Sequence, residues 1–369
     1  MPARRPVEVS APGKLILMGE HAAVYGRPAL IAAIDLRLTA RLSPLPGREV
    51  RLDLPGLGHL ETASWGDLRA YARAARERWA HYAERPLPET FRHVRGEDPA
   101  HVVKIALGET ADFLASSFPG TPPLDGARLR IESGLPIGSG FGSSAATATA
   151  VVAAVLAFAA EEAAEPERIA RLALEVERRQ HGMPSGVDGA TVLSGGVLWA
   201  RRQESGVVET EPVEVQSDLL RLLRVYDTGT PAEPTGAVVA AVRALRERDP
   251  GRHEEALDRM EAATRSFRTI LEARGGDPDQ ALHLIREHEA CLEDLGVIPG
   301  EVRALVRRVE AEGGAAKISG AGSLSGPGAG SLLVYHPEPE RVARWAFLRP
   351  FPFHPVHLGA PGFRREDFG

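Results

Sequence analysis

The chain has 369 residues, 43% hydrophobic, 25% charged and 5% aromatic, which places it among globular proteins and far from disorder. Its net charge of -6 excludes the cationic surplus that tracking a nucleic-acid backbone requires. One cysteine, Cys291, cannot form an internal disulfide, and no Cys/His set has zinc spacing, so a reducing cytoplasm is expected.

In chain order, Val7–Ser10 predicts a strand, Ala11-Pro12-Gly13 a break, and Leu15–Gly19 a second apolar strand, with Lys14 at the turn between them. That apolar stretch is too short for a signal-peptide core. Residues 63–84 have helical spacing, and 112–126 read as a Pro/Gly-rich loop before a strand over 127–132. A Gly/Ser loop, Gly134–Ser144, opens into an alanine-rich helix too short and too small-sided to span a bilayer, and read as buried. Pro166 marks the first turn of a helix reaching about Gly182, and strands are expected near 196–200 and 223–226. From Thr235 to Glu312 the pattern is helical, broken at Pro250-Gly251, Gly275–Pro278 and Pro299-Gly300, before strands near 315–319 and 331–336. The composition shift gives an α+β protein of two domains, 1–210 and 211–369.

Three observations bear on chemistry. Of 44 basic residues only Lys14, Lys104 and Lys317 are lysine, the other 41 being arginine, so each lysine marks a place where a compact ammonium is needed or is there by chance. The segment Pro136-Ile-Gly138-Ser139-Gly140-Phe-Gly142-Ser143-Ser144 leads into a helix N-terminus, where free N–H groups favour a phosphate; the alternative is a plain serine-capped loop. On the Pro166 helix, Glu177 falls on the apolar face of Ile169, Leu172, Ala173, Leu174 and Val176, where a carboxylate must be ion-paired or bind a metal. Asp188 follows in a turn-rich segment, as a base, an orienter of a hydroxyl, or an ordinary Asx turn or helix cap. His59, His81, His253 and His288 follow no metal-binding pattern and receive no role.

Ala11-Pro-Gly-Lys-Leu-Ile-Leu-Met-Gly-Glu-His21 with Tyr25–Ala29 resembles the first motif of the GHMP kinases, Pro136–Ala146 the second, and Lys317-Ile-Ser-Gly-Ala-Gly322 the third. His181-Gly-Met-Pro-Ser-Gly-Val-Asp188, Gly19-Glu20-His21 and Asp227-Thr-Gly-Thr230 are most similar to the branch that phosphorylates mevalonate. The resemblance implies a two-domain α+β fold with ATP in the cleft, bound by Pro136, Gly138, Ser139, Gly140, Gly142, Ser143 and Ser144. It implies Mg²⁺ on Ser144 and Glu177, Asp188 and Lys14 as catalytic residues, and Glu20, His21, Ser185, Thr235, Gly320 and Ala321 around a small hydroxy-acid acceptor. It points to no nucleic-acid or membrane partner and allows a homodimer. The alternatives are a phosphomevalonate kinase, another small-molecule kinase of the family, or a silent nucleotide-binding relative. The third motif departs from the family pattern: Gly322 runs into Ser323-Leu-Ser-Gly-Pro-Gly-Ala-Gly330, a longer loop stiffened by Pro327.

Overall fold

The computed structural model describes residues 4–86, 88–91, 94, 96–121 and 123–366. Among the described residues twelve strands form two sheets: β1 (Val7–Met18), β2 (Ala29–Pro44), β3 (Glu49–Leu54), β4 (His59–Ser64), β5 (Ala127–Ser133), β6 (Val197–Arg202), β7 (Val208–Pro212), β8 (Leu223–Asp227), β9 (Ala315–Ser319), β10 (Ser331–Tyr335), β11 (Phe353–His354) and β12 (Arg364–Glu366). The first sheet has the order β12-β1-β2-β5-β3-β4, with β6 and β7 added where β6 pairs with the start of β2. The second, β11-β8-β10-β9, is antiparallel throughout. The mixture of largely antiparallel sheets, with β3 and β5 the parallel pair, and separate runs of helices is the expected α+β class.

The first motif differs from its expected form. Instead of two strands around a turn, β1 is continuous, and Pro12 and Gly13 sit at a break in its register with β2, Pro12 opposite Arg37 and Gly13 opposite Ile34. A bulge absorbs both residues that would weaken a regular ladder, so the chain kinks without ending, and Lys14 lies inside a strand, not at a turn. A second difference concerns 112–126: the helix His101–Ser117 runs through Asp112, and the loop begins only after it. The other main elements fall near their expected places: helices Trp65–Glu84, Ser143–Ala159 and Pro166–His181, and the run Thr235–Arg248, Pro250–Glu272, Pro278–Asp294 and Gly300–Ala311.

The helix Ser143–Ala159 is the buried element expected from its alanines. Small side chains let it lie against β1 and β2 on one side and against helices His101–Ser117 and Pro166–His181 on others, with nearly every residue out of solvent. Its N-terminus is thereby fixed beside the bulge of β1. The later helices cover the second sheet, and Pro250–Glu272 also reaches β1 and β2. Among the described residues no helix is long and apolar enough to cross a membrane.

Candidate active site

A cavity of about 190 Å³ opens where β1, the Gly/Ser loop, the His181–Asp188 segment and the loop after β9 converge. Lys14 is the centre of its polar wall. The Lys14 N–H donates to the Phe141 carbonyl (2.9 Å), which ties β1 to the Gly/Ser loop, and the Lys14 ammonium lies 3.0 Å from Asp188 Oδ2. Gly142, at φ +77°, passes directly over the lysine stem: a Cβ there would stand 2.7 Å from Lys14 Cγ. Only glycine allows this approach and this backbone conformation together.

Gly142 is also the residue before the helix Ser143–Ala159, and no side chain caps that helix, so the reading of a serine-capped loop is not what forms. The first helical hydrogen bond runs from Ala146 N to Gly142 O (3.0 Å), which leaves the N–H groups of the first turn facing the cavity that Ser143, Ser144 and Ala145 line. This end of the helix is arranged to receive an anion.

Glu177 is buried, as the helical wheel predicts, and among the described residues no arginine pairs with it. Burial, then the neighbouring Asp188 carboxylate, push its carboxyl up to about 8, with Lys14 offsetting part of the effect. Asp188 occupies the first turn of a helix, Val187–Ser194, that the glycines around it conceal in the sequence; it is neither a turn nor a cap. Lys14, Ser144, Glu177 and Asp188, separated by up to 174 positions, therefore line one cavity.

At the other end lie Glu20, His21, Ser185, Thr235, Gly320 and Ala321. His21 has φ +58° and is the only non-glycine with positive φ among the described residues; its Nε2–H donates to the Ala321 carbonyl (2.9 Å). Burial lowers its pKa. Glu20 is held from below by a buried ion pair with Lys317, whose ammonium also donates to the Ile318 carbonyl (2.6 Å). Pro136 and Ser139 do not line the cavity: Ser139 is buried, and its carbonyl accepts from Ser331 N (2.8 Å) at the start of β10.

Three residues at or near the cavity went unassigned in the sequence, of which His181 alone lines it. His181 ends the Pro166 helix and places Nε2 3.1 Å from Ser144 Oγ. Arg202 lies half-buried behind Pro184, donating to its carbonyl (3.3 Å); burial, then Arg178 and Arg243, hold its pKa down, and among the described residues no carboxylate pairs with it. Arg243 shares the helix face of Thr235 and Val239, at spacings of four. Only the position of Arg243, two turns after Thr235, was available as a signal. A second, more open hollow of about 390 Å³ is lined by Arg27, Arg201, Arg246 and Glu254. It contains no predicted residue, and its Arg27 is matched by Glu254, Asp258 and Glu261.

Residues 102–196, which carry the Gly/Ser loop, Glu177 and Asp188, match the family description GHMP kinases N terminal domain. Mevalonate kinase from Bos taurus is 31% identical over 96% of this chain and 93% of its own. The chain belongs to the GHMP kinase family. The fold is that of solved members: Methanococcus jannaschii mevalonate kinase superposes with a TM-score of 0.71 at 20% identity, covering 99% of both chains. L. major mevalonate kinase, in complex with R-mevalonate, superposes with a TM-score of 0.65 at 21% identity over 95% of each chain. As a GHMP kinase, the chain has its three motifs gathered at one cavity, and the altered third motif still supplies Gly320 and Ala321 to the wall.

Proposed function

We propose that this GHMP kinase transfers the γ-phosphoryl group of ATP to the 5-hydroxyl of mevalonate, with residues 1–210 and 211–369 acting as two domains around the cleft. The two-domain reading is supported by the sheets, since β1–β6 belong to the first part and β8–β11 to the second, with β7 crossing the boundary and β12 returning to β1. One observation carries the reaction: Lys14 and Asp188 meet at 3.0 Å beside an uncapped helix N-terminus. Phosphoryl transfer has a loose transition state, and catalysis is chiefly positioning and neutralisation of charge. The Gly138–Ser144 backbone is suited to cradle the phosphates, and Lys14 to offset charge on the reacting oxygens. Asp188 faces the acceptor, where its carboxylate orients the hydroxyl and receives its proton late.

Ser144 and Glu177 fit Mg²⁺. Both offer hard oxygen donors, and Glu177 is a buried carboxylate facing another with only Lys14 to offset the pair, which is the environment a divalent cation relieves. Bound there, Mg²⁺ would neutralise charge on the β- and γ-phosphates. At the acceptor end, Glu20, His21, Ser185, Thr235, Gly320 and Ala321 form the wall, and Arg202, paired with no carboxylate among the described residues, lies behind the wall residue Pro184.

The test is turnover of Mg²⁺-ATP with mevalonate, phosphomevalonate, homoserine and galactose in parallel. Mevalonate is expected to react fastest. Faster phosphomevalonate turnover would show that the acceptor end reads a phosphate, and ATP binding without turnover of any acceptor would leave a silent nucleotide-binding protein.

A further inference from the structure

The longer third loop is not a loose tip. Ser323, fully buried, donates its amide to the Val297 carbonyl (3.0 Å), and its Oγ accepts from Ala232 N (3.1 Å). The same hydroxyl lies 2.7 Å from Glu233 Oε2. That carboxylate oxygen also accepts from the amides of Leu324 (2.9 Å) and Ser325 (3.3 Å), while Oε1 accepts from Ser325 Oγ (2.5 Å). Four donors from three consecutive residues converge on one side chain. Burial works to raise the Glu233 pKa, yet these donors prevail and hold it below the usual carboxylate range. The far end of the loop is fastened separately, by Ala329 N to Thr228 Oγ1 (2.9 Å) and Gly330 N to Gly229 O (2.9 Å).

Glu233 stands two residues before Thr235, and its partners begin two residues after Ala321, so the clasp joins two strips of the acceptor wall. Ala321 in turn provides the carbonyl that holds His21 in its unusual backbone conformation. Such conformations persist only where surrounding contacts over-determine them. Resting on the functional reading above, we infer that Glu233 is a positioning residue: by clasping Ser323–Ser325 it fixes the Ala321 carbonyl, and through it His21, against Thr235 at the acceptor end. The phosphate end is held by other bonds, Phe141 by Lys14 in β1 and Ser139 by Ser331 in β10, in neither of which Glu233 takes part.

Removal of the clasp should therefore separate acceptor from nucleotide. In the full-length chain, Glu233→Ala is expected to raise the KM for mevalonate about tenfold, with the KM for ATP changed less than about twofold. Glu233→Gln, which keeps one accepting oxygen, should fall between the two. Hydrogen exchange at Leu324 and Ser325 should accelerate in both variants, and melting temperatures show whether either has lost its fold. Unchanged exchange would mean that no clasp forms. Fast exchange with an unchanged acceptor KM, or equal rises in both KM values, would overturn the positioning role alone. A parent that phosphorylates no acceptor would overturn the functional reading and the positioning role with it.

Discussion

Each of the three lysines is placed where its ammonium meets carboxylates at short range. Lys14 faces Asp188, Lys317 is buried with Glu20, and Lys104 lies 2.6 Å from Asp98 and 2.7 Å from Glu61. Lys104, on the helix His101–Ser117, is the lysine that no motif claims and that chance alone could explain. Its side chain is nevertheless only 11% exposed, and its ammonium fills the hollow between Glu61 and Asp98, with His59 alongside. Scarcity of lysine thus marks tight sites in general and not catalysis alone. The two roles separate in one experiment. Lys14→Arg keeps the charge but widens the head between Asp188 and the phosphate loop, and a misplacement of about 1 Å there can cost on the order of a hundredfold. A single-turnover rate reduced on that scale, with the melting point nearly unmoved, is expected. Lys104→Arg should do the reverse, lowering the melting point and leaving the rate intact; an Lys14→Arg enzyme as fast as the parent would remove Lys14 from the reaction. Glu177 was legible because a helical wheel turns one carboxylate inward. Arg202 and Glu233 were not, since their partners come from segments 18 to 92 positions away and no local pattern encodes them.

The elements show where local signals give way to tertiary ones. Pro166, Pro250, Pro278 and the capping acids Asp249 and Asp277 mark helix starts that form as their chemistry dictates. The strand β2 carries no comparable signal. Its first six residues are buried on both faces between β1 and β6, and its later ones alternate, so no single period runs through it. Pro12-Gly13 misled in the other direction, because a break in local propensity became a bulge once β2 supplied a partner. That bulge gives an element-level prediction. A Cβ on Gly13 would stand 2.4 Å from Leu135 Cδ2 and 2.7 Å from the Phe141 carbonyl. The leucine can turn aside, but the carbonyl is the acceptor that ties Lys14 to the phosphate loop. Gly13→Ala should cost about 1–3 kcal/mol of stability, as overpacking does, and should also lower turnover because the loop is displaced at Lys14. Denaturant unfolding and steady-state rates check the two parts; a variant stable and active as the parent would show that the strand can shift without moving the loop.

Across the whole molecule, a buried polar cluster behind the cavity residues Gly19 and Glu20 links the two sheets. His288, from the helix Pro278–Asp294, accepts from Gly19 N (2.7 Å) at the end of β1. Glu289, from the next position, accepts from Ile318 N (3.1 Å) in β9, while its Oε1 has no partner among the described residues. Burial pushes the Glu289 carboxyl up to about 8, only partly offset by Lys317. In the unfolded chain the same carboxyl titrates near its ordinary 4.5, so between these values the folded protein binds the extra proton. The stabilisation is complete below pH 4.5 and is lost as pH rises through about 8. Glu289→Gln cannot titrate, and its amide oxygen can still accept from Ile318. Groups remote from Glu289 are unaffected by the substitution, so the difference between the two melting temperatures reports Glu289 together with its coupling to Lys317, Glu293 and Glu20. That difference, variant minus parent, should grow in favour of the glutamine as pH rises from about 5 to 8, and level off above. Thermal melts of both proteins across this range at fixed ionic strength are the measurement. A flat difference would mean that Glu289 is ionised throughout, with Lys317 serving Glu289 as well as Glu20, and that the cluster carries one more negative charge than the buried geometry implies.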